Sequence, residues 1–466
     1  MSETGASLAG PAVFRASGSL GFRVLFAASI GVIVAQLGMV TLMQGIGIGG
    51  WGFIGAMFIA FVLALTNAMA YAEMSLMMPG ARSLSSYAEA AVGNFPAILL
   101  VFAGYVTPAI FGLPVELILA DQILRDSLSL GLPPLFWPVA LVVVFAGLNI
   151  LGADVFAKVQ TTLSFTVLAF LLVVGLMAVS GHAAAPVAGA GWSQMGRNTV
   201  TVSLVALAFW VFVGSEFVTP LVPEAADAKR DLPRAMIGSL VTIFLVQLLF
   251  AAGAGAVIPR ETLASSPAPH MDYALAVFGP SAKVGFAVLA LLASASLLNS
   301  VLAAVPRMLQ GMAENGQVFS AFKWLHPRLG TPVIAIVFVA CLPLLGLAWS
   351  GGDPAAIVSL TISASVAWIL AYVVAQVSLM VLRRRQPDAQ RPYRMPLFPL
   401  LPLLAVAGML YVVSQSSPAP ELTAQIVRYT GIVLGLFAVV GALWVRVVMK
   451  RGLFEAVAPA SVDARS

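Results

Sequence analysis

The segment 31-GVIVAQLGMV-40 lies inside an apolar run long enough to cross a bilayer, yet it holds the amide Gln36 between glycines at 31 and 38. An unpaired amide is costly in hydrocarbon, and glycine loosens a helix. A second apolar run breaks in the same way: 204-LVALAFWVFVGSEF-217 carries Gly214, Ser215 and Glu216. Interrupted spans at corresponding places in two halves of a chain point to a transporter binding site. Unwound backbone there offers free N–H and C=O groups, and the half-helix dipoles favour charge at each end.

The setting of these breaks is a membrane. Of the 466 residues, 60% are hydrophobic and 9% charged, and the mean hydropathy is +1.00. Soluble domains carry about 25% charged residues. Twelve segments each approach the roughly 20 apolar residues a spanning helix needs: 22–44, 51–78, 96–124, 134–151, 156–180, 200–222, 235–258, 282–312, 332–350, 354–382, 396–414 and 424–448. They are too long and too evenly apolar for barrel strands. The fold class is therefore an all-α integral membrane protein with twelve transmembrane helices; an inverted five-plus-five repeat with two extra helices would place the broken first span opposite the broken sixth.

Charge sets the orientation. With the N-terminus inside, all of the 24 Lys and Arg residues fall on the cytoplasmic side except Arg125, Arg197, Arg260, Lys283 and Arg428. The positive-inside rule then places both termini in the cytoplasm. The domain division is a tail at 1–21, a ten-helix core at 22–382 with repeats at about 22–180 and 200–382, a basic loop with two helices at 383–448, and a tail at 449–466. No cleavable signal peptide is evident in the first 20 or so residues.

Several chemistries are excluded. The single Cys341 forms no internal disulfide. His182, His270 and His326 all fall in predicted loops, too scattered for a metal site. Without a convergent set of acids, histidines or metal ligands, the chain is not read as an enzyme. No phosphate-binding loop is present, so ATP-driven transport by this chain alone is not expected. No cofactor and no nucleic acid partner are expected. The expected partners are a small-molecule substrate, a coupling ion (proton or sodium) and membrane lipid.

Glu116, in 112-GLPVELILAD-121, is an ionisable residue at membrane depth and a functional candidate by default. Glu216 is the second acid placed deep. Ser294, Ser296 and Asn299 recur along the eighth span and are candidates to line a path. Glu73 is read as an anchor at a helix end.

Longer motifs carry a family resemblance. The stretches 209-FWVFVGSEFVTPLVPEAADAKRDLPRAMIGSL-240 and 298-LNSVLAAVPRMLQGMAENGQVFSAFKWLHPRLGTPVIA-335 resemble the sixth and eighth helices, with their following loops, of amino acid–polyamine–organocation permeases. The stretches 71-YAEMSLMMPGARSLSSYAEAAVG-93, 148-LNILG-152 and 383-RRRQPDAQRPYRMP-396 are also similar, in the right order. The resemblance implies two inverted five-helix repeats and a substrate site midway through the membrane. It places the first break at Gln36, Leu37 and Gly38, where the family has Gly-(Ser/Ala)-Gly with amides that hold a substrate carboxylate. Here glutamine and leucine replace the first two of these residues. It makes Trp210 the aromatic lid, Gly214 and Ser215 part of the site, and Glu216 the acidic position. A helix-five lysine of some proton-coupled members falls near Val167 and is absent. The expected function is a secondary active transporter that moves an amino acid or related small amine across the bacterial plasma (inner) membrane by alternating access. The alternative is an amine-specific carrier or exchanger, for ethanolamine, a polyamine or similar. Residues 36–38 are expected to be non-helical and to line the central cavity.

Overall fold

The computed structural model describes residues 20–81, 83–128, 131–196, 202–351, 357–416 and 420–459. Arg15, Arg82, Arg197 and Arg465, most of the tail at 1–21 and the end of the tail at 449–466 lie outside them. The described chain is helical: α1 (Phe22–Gly31), α2 (Gln36–Gly49), α3 (Trp51–Met77), α4 (Leu84–Val92), α5 (Asn94–Val101), α6 (Thr107–Leu128), α7 (Phe136–Ile150), α8 (Ala153–Val179), α9 (Val202–Phe209), α10 (Ala228–Val257), α11 (Arg260–Ser265), α12 (Pro269–Phe278), α13 (Lys283–Glu314), α14 (Val333–Ser350), α15 (Ile357–Arg385), α16 (Leu400–Ser414) and α17 (Pro420–Leu443).

Among the described residues, nine helical stretches are long and apolar enough to cross a membrane, and α1 with α2 makes a tenth, bent by 55°. One of the nine joins α5 and α6 through a π-turn at Phe102–Val106. The α7 and α16 helices are apolar but only 15 residues long, about 22 Å at 1.5 Å per residue.

Both expected breaks are present. In the first span the helix ends at Gly31, and Val32, Ile33 and Val34 form a turn that leads to Ala35. Ala35 is extended (φ −63°, ψ 153°) and α2 starts at Gln36. Gln36, Leu37 and Gly38 are thus the first turn of a new helix rather than a non-helical segment, and the break lies one turn earlier, at residues 32–35. In the sixth span, α9 passes into a 3-10 turn at Trp210–Phe212, opens at Val213 and Gly214, and resumes as a 3-10 helix at Ser215–Glu224. Pro220 and Pro223 lie within that last element and deny it the N–H groups an α-helix requires.

The two breaks touch. Gly214 has φ 116°, and a Cβ there would sit 2.6 Å from Val32 Cβ and overlap Val32 Cγ1. Helix α1 packs on α8, α10 and α13, and α6 on α13, α14 and α15. At the ends of α3 and α15, the buried Glu73 accepts from Arg383 Nε (2.7 Å), Arg383 Nη2 (2.5 Å) and the Met395 N–H (2.7 Å), with Arg391 Nε at 3.2 Å. Glu73 is therefore the anchor that fixes the basic loop to α3. The outward surface is apolar, with Val143, Leu404 and Val440 all more than half exposed, as a lipid-facing surface requires.

Candidate functional site

Freed N–H groups at the start of α2 must find acceptors. Glu116, from the middle of α6, supplies them. Its Oε1 accepts from the Gln36 N–H at 2.9 Å and its Oε2 from the Leu37 N–H at 2.8 Å. Ser294 on α13 donates to Oε1 at 2.6 Å. Glu116 is buried and makes no ion pair among the described residues. Three donors and a half-helix dipole stabilise its carboxylate in place of a cation. The Gln36 Nε2 amide is buried without a hydrogen-bond partner among the described residues.

A second carboxylate ties down the other break. Glu216 Oε1 accepts from Tyr105 Oη (3.2 Å) and Trp368 Nε1 (3.0 Å), and Oε2 accepts from Tyr372 Oη (2.6 Å). It too is buried and without an ion pair among the described residues. Trp368 and Tyr372 stand four apart on α15, on one face of the helix.

The rings of Tyr105, Trp210, Phe217 and Trp368 enclose a cavity of about 10 Å³, with Gly112 and Leu113 of α6 in its wall and neither carboxylate among its lining. That is room for about one water, so any larger guest enters only once rings part. The ring centroids lie 5.4–5.9 Å apart, with Trp210 edge-on to Trp368 at 83°. Gly112 is needed for this packing, because a Cβ there would lie 2.5 Å from the Trp210 ring.

Polar residues of α13 divide between two clusters. Ser294 joins Glu116, but Ser296 and Asn299 turn to a separate network under the end of α1. Ser296 Oγ donates to the Gly31 carbonyl at 2.9 Å, and Gln160 of α8 bonds Ser296 (2.9 Å), Ser164 (2.9 Å) and Asn299 (2.8 Å). In this cluster Gln160 and Ser164, not a group at Val167, are the α8 side chains that bond α13.

Of the residues chosen from sequence, Trp210 lines the small cavity. Gln36, Leu37, Glu116 and Ser294 gather at the first break. Gly214 and Ser215 pack against α1, the Ser215 carbonyl accepting from Ser29 Oγ at 3.1 Å. Gly38 faces Ile33 O and Val211, with a Cβ position 3.2 Å from that carbonyl, and is not in the cavity wall. His270, placed in a loop from sequence, is a buried residue of α12. Tyr105, Phe217, Trp368, Tyr372 and Gln160 were not singled out. The four-residue spacing of Trp368 and Tyr372 was the available clue.

Each of the two broken spans is thus held by a buried carboxylate. The profile of the amino acid permease family matches residues 20–440. The chain belongs to that family. The branched-chain amino acid permease BcaP of Bacillus subtilis (strain 168) is 25% identical over 76% of this chain and 79% of its own length. The serine/threonine exchanger SteT of the same organism is 26% identical over 76% of this chain and 80% of its own. Among solved structures, the nucleobase-cation-symport-1 family transporter Mhp1, closed with bromovinylhydantoin bound, aligns over 97% of this chain and 98% of its own. The TM-score is 0.56 at 17% identity, which speaks for the fold alone. The permease is a secondary transporter of amino acids or related small amines in a membrane.

Proposed function

We propose that the permease carries a small amino-bearing molecule across the bacterial inner membrane by alternating access, with the cargo bound between the broken first and sixth spans. The observation that carries this reading is the contact of the two breaks at Val32 and Gly214, flanked by Glu116 and Glu216. Backbone that is broken at membrane depth belongs beside a binding cavity. The ring of Trp210, packed on Gly112, is the lid whose movement admits cargo. Related permeases that bear the names of branched-chain amino acids and of serine and threonine support an amino group as the common element of the cargo.

In this reading the chain makes twelve spans, the short α7 and α16 among them, with inverted repeats at about 22–180 and 200–382 and both termini cytoplasmic. The charge bias of the loops supports that orientation. Single cysteines placed at the loops before α4 and after α7, in a Cys341→Ala background, report it by reaction with an impermeant reagent from one side only.

Transport is tested in proteoliposomes by counterflow with a panel of labelled amino acids and amines. Exchange of at least one of them above empty vesicles is expected. No exchange with any member would overturn the reading. Proton and sodium ionophores added to the same vesicles separate ion-driven uptake from obligatory exchange.

A further inference from the structure

We infer that, of the two cargo classes, the permease takes the amine: an organic cation that lacks a carboxylate, because Glu116 already fills the anion position of the site. This rests on the transport function proposed above.

The start of α2 is where broken backbone and a half-helix dipole together favour an anion. In this chain an internal carboxylate takes it. Glu116 uses the N–H groups of both Gln36 and Leu37 and adds the hydroxyl of Ser294. A cargo carboxylate could bind there only by expelling Glu116 into a buried space, and among the described residues no cation pairs with it there.

The charge balance of the core points the same way. Other buried acids have basic partners: Glu73 has Arg383 and Arg391, Glu89 has Arg451, and Asp121 has Arg125. Glu116 and Glu216 have none among the described residues. A zwitterion would bring a third carboxylate to this pair. A simple ammonium brings the missing positive charge, and a charge buried without water is best met by its opposite.

The cavity has the surface for it. Four aromatic rings face one small space, and two of them, Tyr105 and Trp368, also hold Glu216 Oε1 through their polar atoms. Ring faces attract ammonium groups, most of all when water is excluded. The wall residues Gly112 and Leu113 are followed one turn later on α6 by Glu116, so one helix carries both the ring-packing glycine and the carboxylate that closes the anion position.

The test uses the full-length permease in proteoliposomes and pairs of compounds that differ only by a carboxylate: ethanolamine and serine, isobutylamine and valine, cadaverine and lysine. Each competes against the cargo that counterflow identifies. The amine is expected to compete at least tenfold better than its amino acid in the pair with the best-fitting side chain. Glu116→Ala, which vacates the start of α2, should shrink that preference at least tenfold, and the isosteric Glu116→Gln should shrink it in the same direction. If the variants do not insert, the wild-type ratios alone decide. Amino acids that compete as well as or better than their amines in every pair overturn the inference while leaving the transport function intact. An amine preference that both variants leave unchanged overturns the role given to Glu116. Absence of exchange with every compound overturns instead the function on which the inference rests.

Discussion

The contact between the two breaks can be weighed by adding one methyl group. Gly214→Ala introduces a Cβ at φ 116°, where an L-residue costs about 1–3 kcal/mol. The same Cβ would sit 2.6 Å from Val32 Cβ, an overlap that costs a further ~1–3 kcal/mol in a packed interior. The expected loss is therefore about 2–6 kcal/mol. The two parts separate in a double-mutant cycle. Val32→Gly removes both the Cβ and the Cγ1 that overlap but leaves the dihedral strain at 214, so the pair should be coupled by roughly 1–3 kcal/mol, with the double variant more stable than additivity gives. Equilibrium unfolding in detergent micelles measures the cycle, and counterflow measures what it does to transport. If Gly214→Ala unfolds within about 0.5 kcal/mol of the parent, in the range of an ordinary surface change, and transports normally, the two breaks do not bear on each other as argued.

Other perturbations reach other parts of the molecule. Glu216→Gln keeps the shape but removes the charge that three donors hold; uptake of cationic cargo should fall roughly tenfold or more, since hydrogen bonds to charged groups are worth about 1.5–3 kcal/mol, while membrane insertion is unchanged. Glu73→Gln should destabilise by about 3–5 kcal/mol, because it strands Arg383 and Arg391 beside a buried amide, and denaturant unfolding reads it directly. Burial of His270, whose ring nitrogens have no hydrogen-bond partner, pushes its pKa down to about 3 from the ordinary 6.5. The unfolded chain then binds the extra proton between those values, so stability falls as pH drops from about 6.5 towards 3, by up to about 5 kcal/mol at 1.36 kcal/mol per unit. His270→Gln should flatten the acid limb of a stability–pH curve.

Much of the scaffold was legible because lipid leaves few options. An uncharged run of 20 or so residues has to be a helix, and each of the twelve expected segments overlaps a described helix. The site was legible in part. Glycine and polar residues within apolar runs marked both spans that break, but not where the backbone opens. The first break lies at residues 32–35, where Glu116, eighty residues away in sequence, fastens the N–H groups that follow. No local pattern encodes that long-range bond. Ser294, Ser296 and Asn299 looked like one path, and only packing shows that Ser294 turns to Glu116 while the other two turn to Gln160. Tyr105 was hidden because an isolated tyrosine in a span reads as packing until its hydroxyl is seen on Glu216.

The two carboxylates also explain how a cargo can act on the whole chain. Glu116 joins the start of α2 to α6 and α13. Glu216 joins the sixth-span break to Tyr105, just before α6, and to Trp368 and Tyr372 on α15. Each broken span is thus fastened to the unbroken helices by one acid whose partners are neutral donors. Bonds from neutral donors can be exchanged one at a time, whereas the pairs of Glu73 with Arg383 and Arg391 cannot be released without stranding charge. A ligand shifts a conformational equilibrium only through its differential affinity for the two states. On the amine reading proposed above, an ammonium drawn to Glu216 would compete with the very hydroxyls and indole that hold the break to α15, so that binding would loosen the sixth span. A cargo that bound elsewhere on the aromatic walls would occupy the cavity without that consequence.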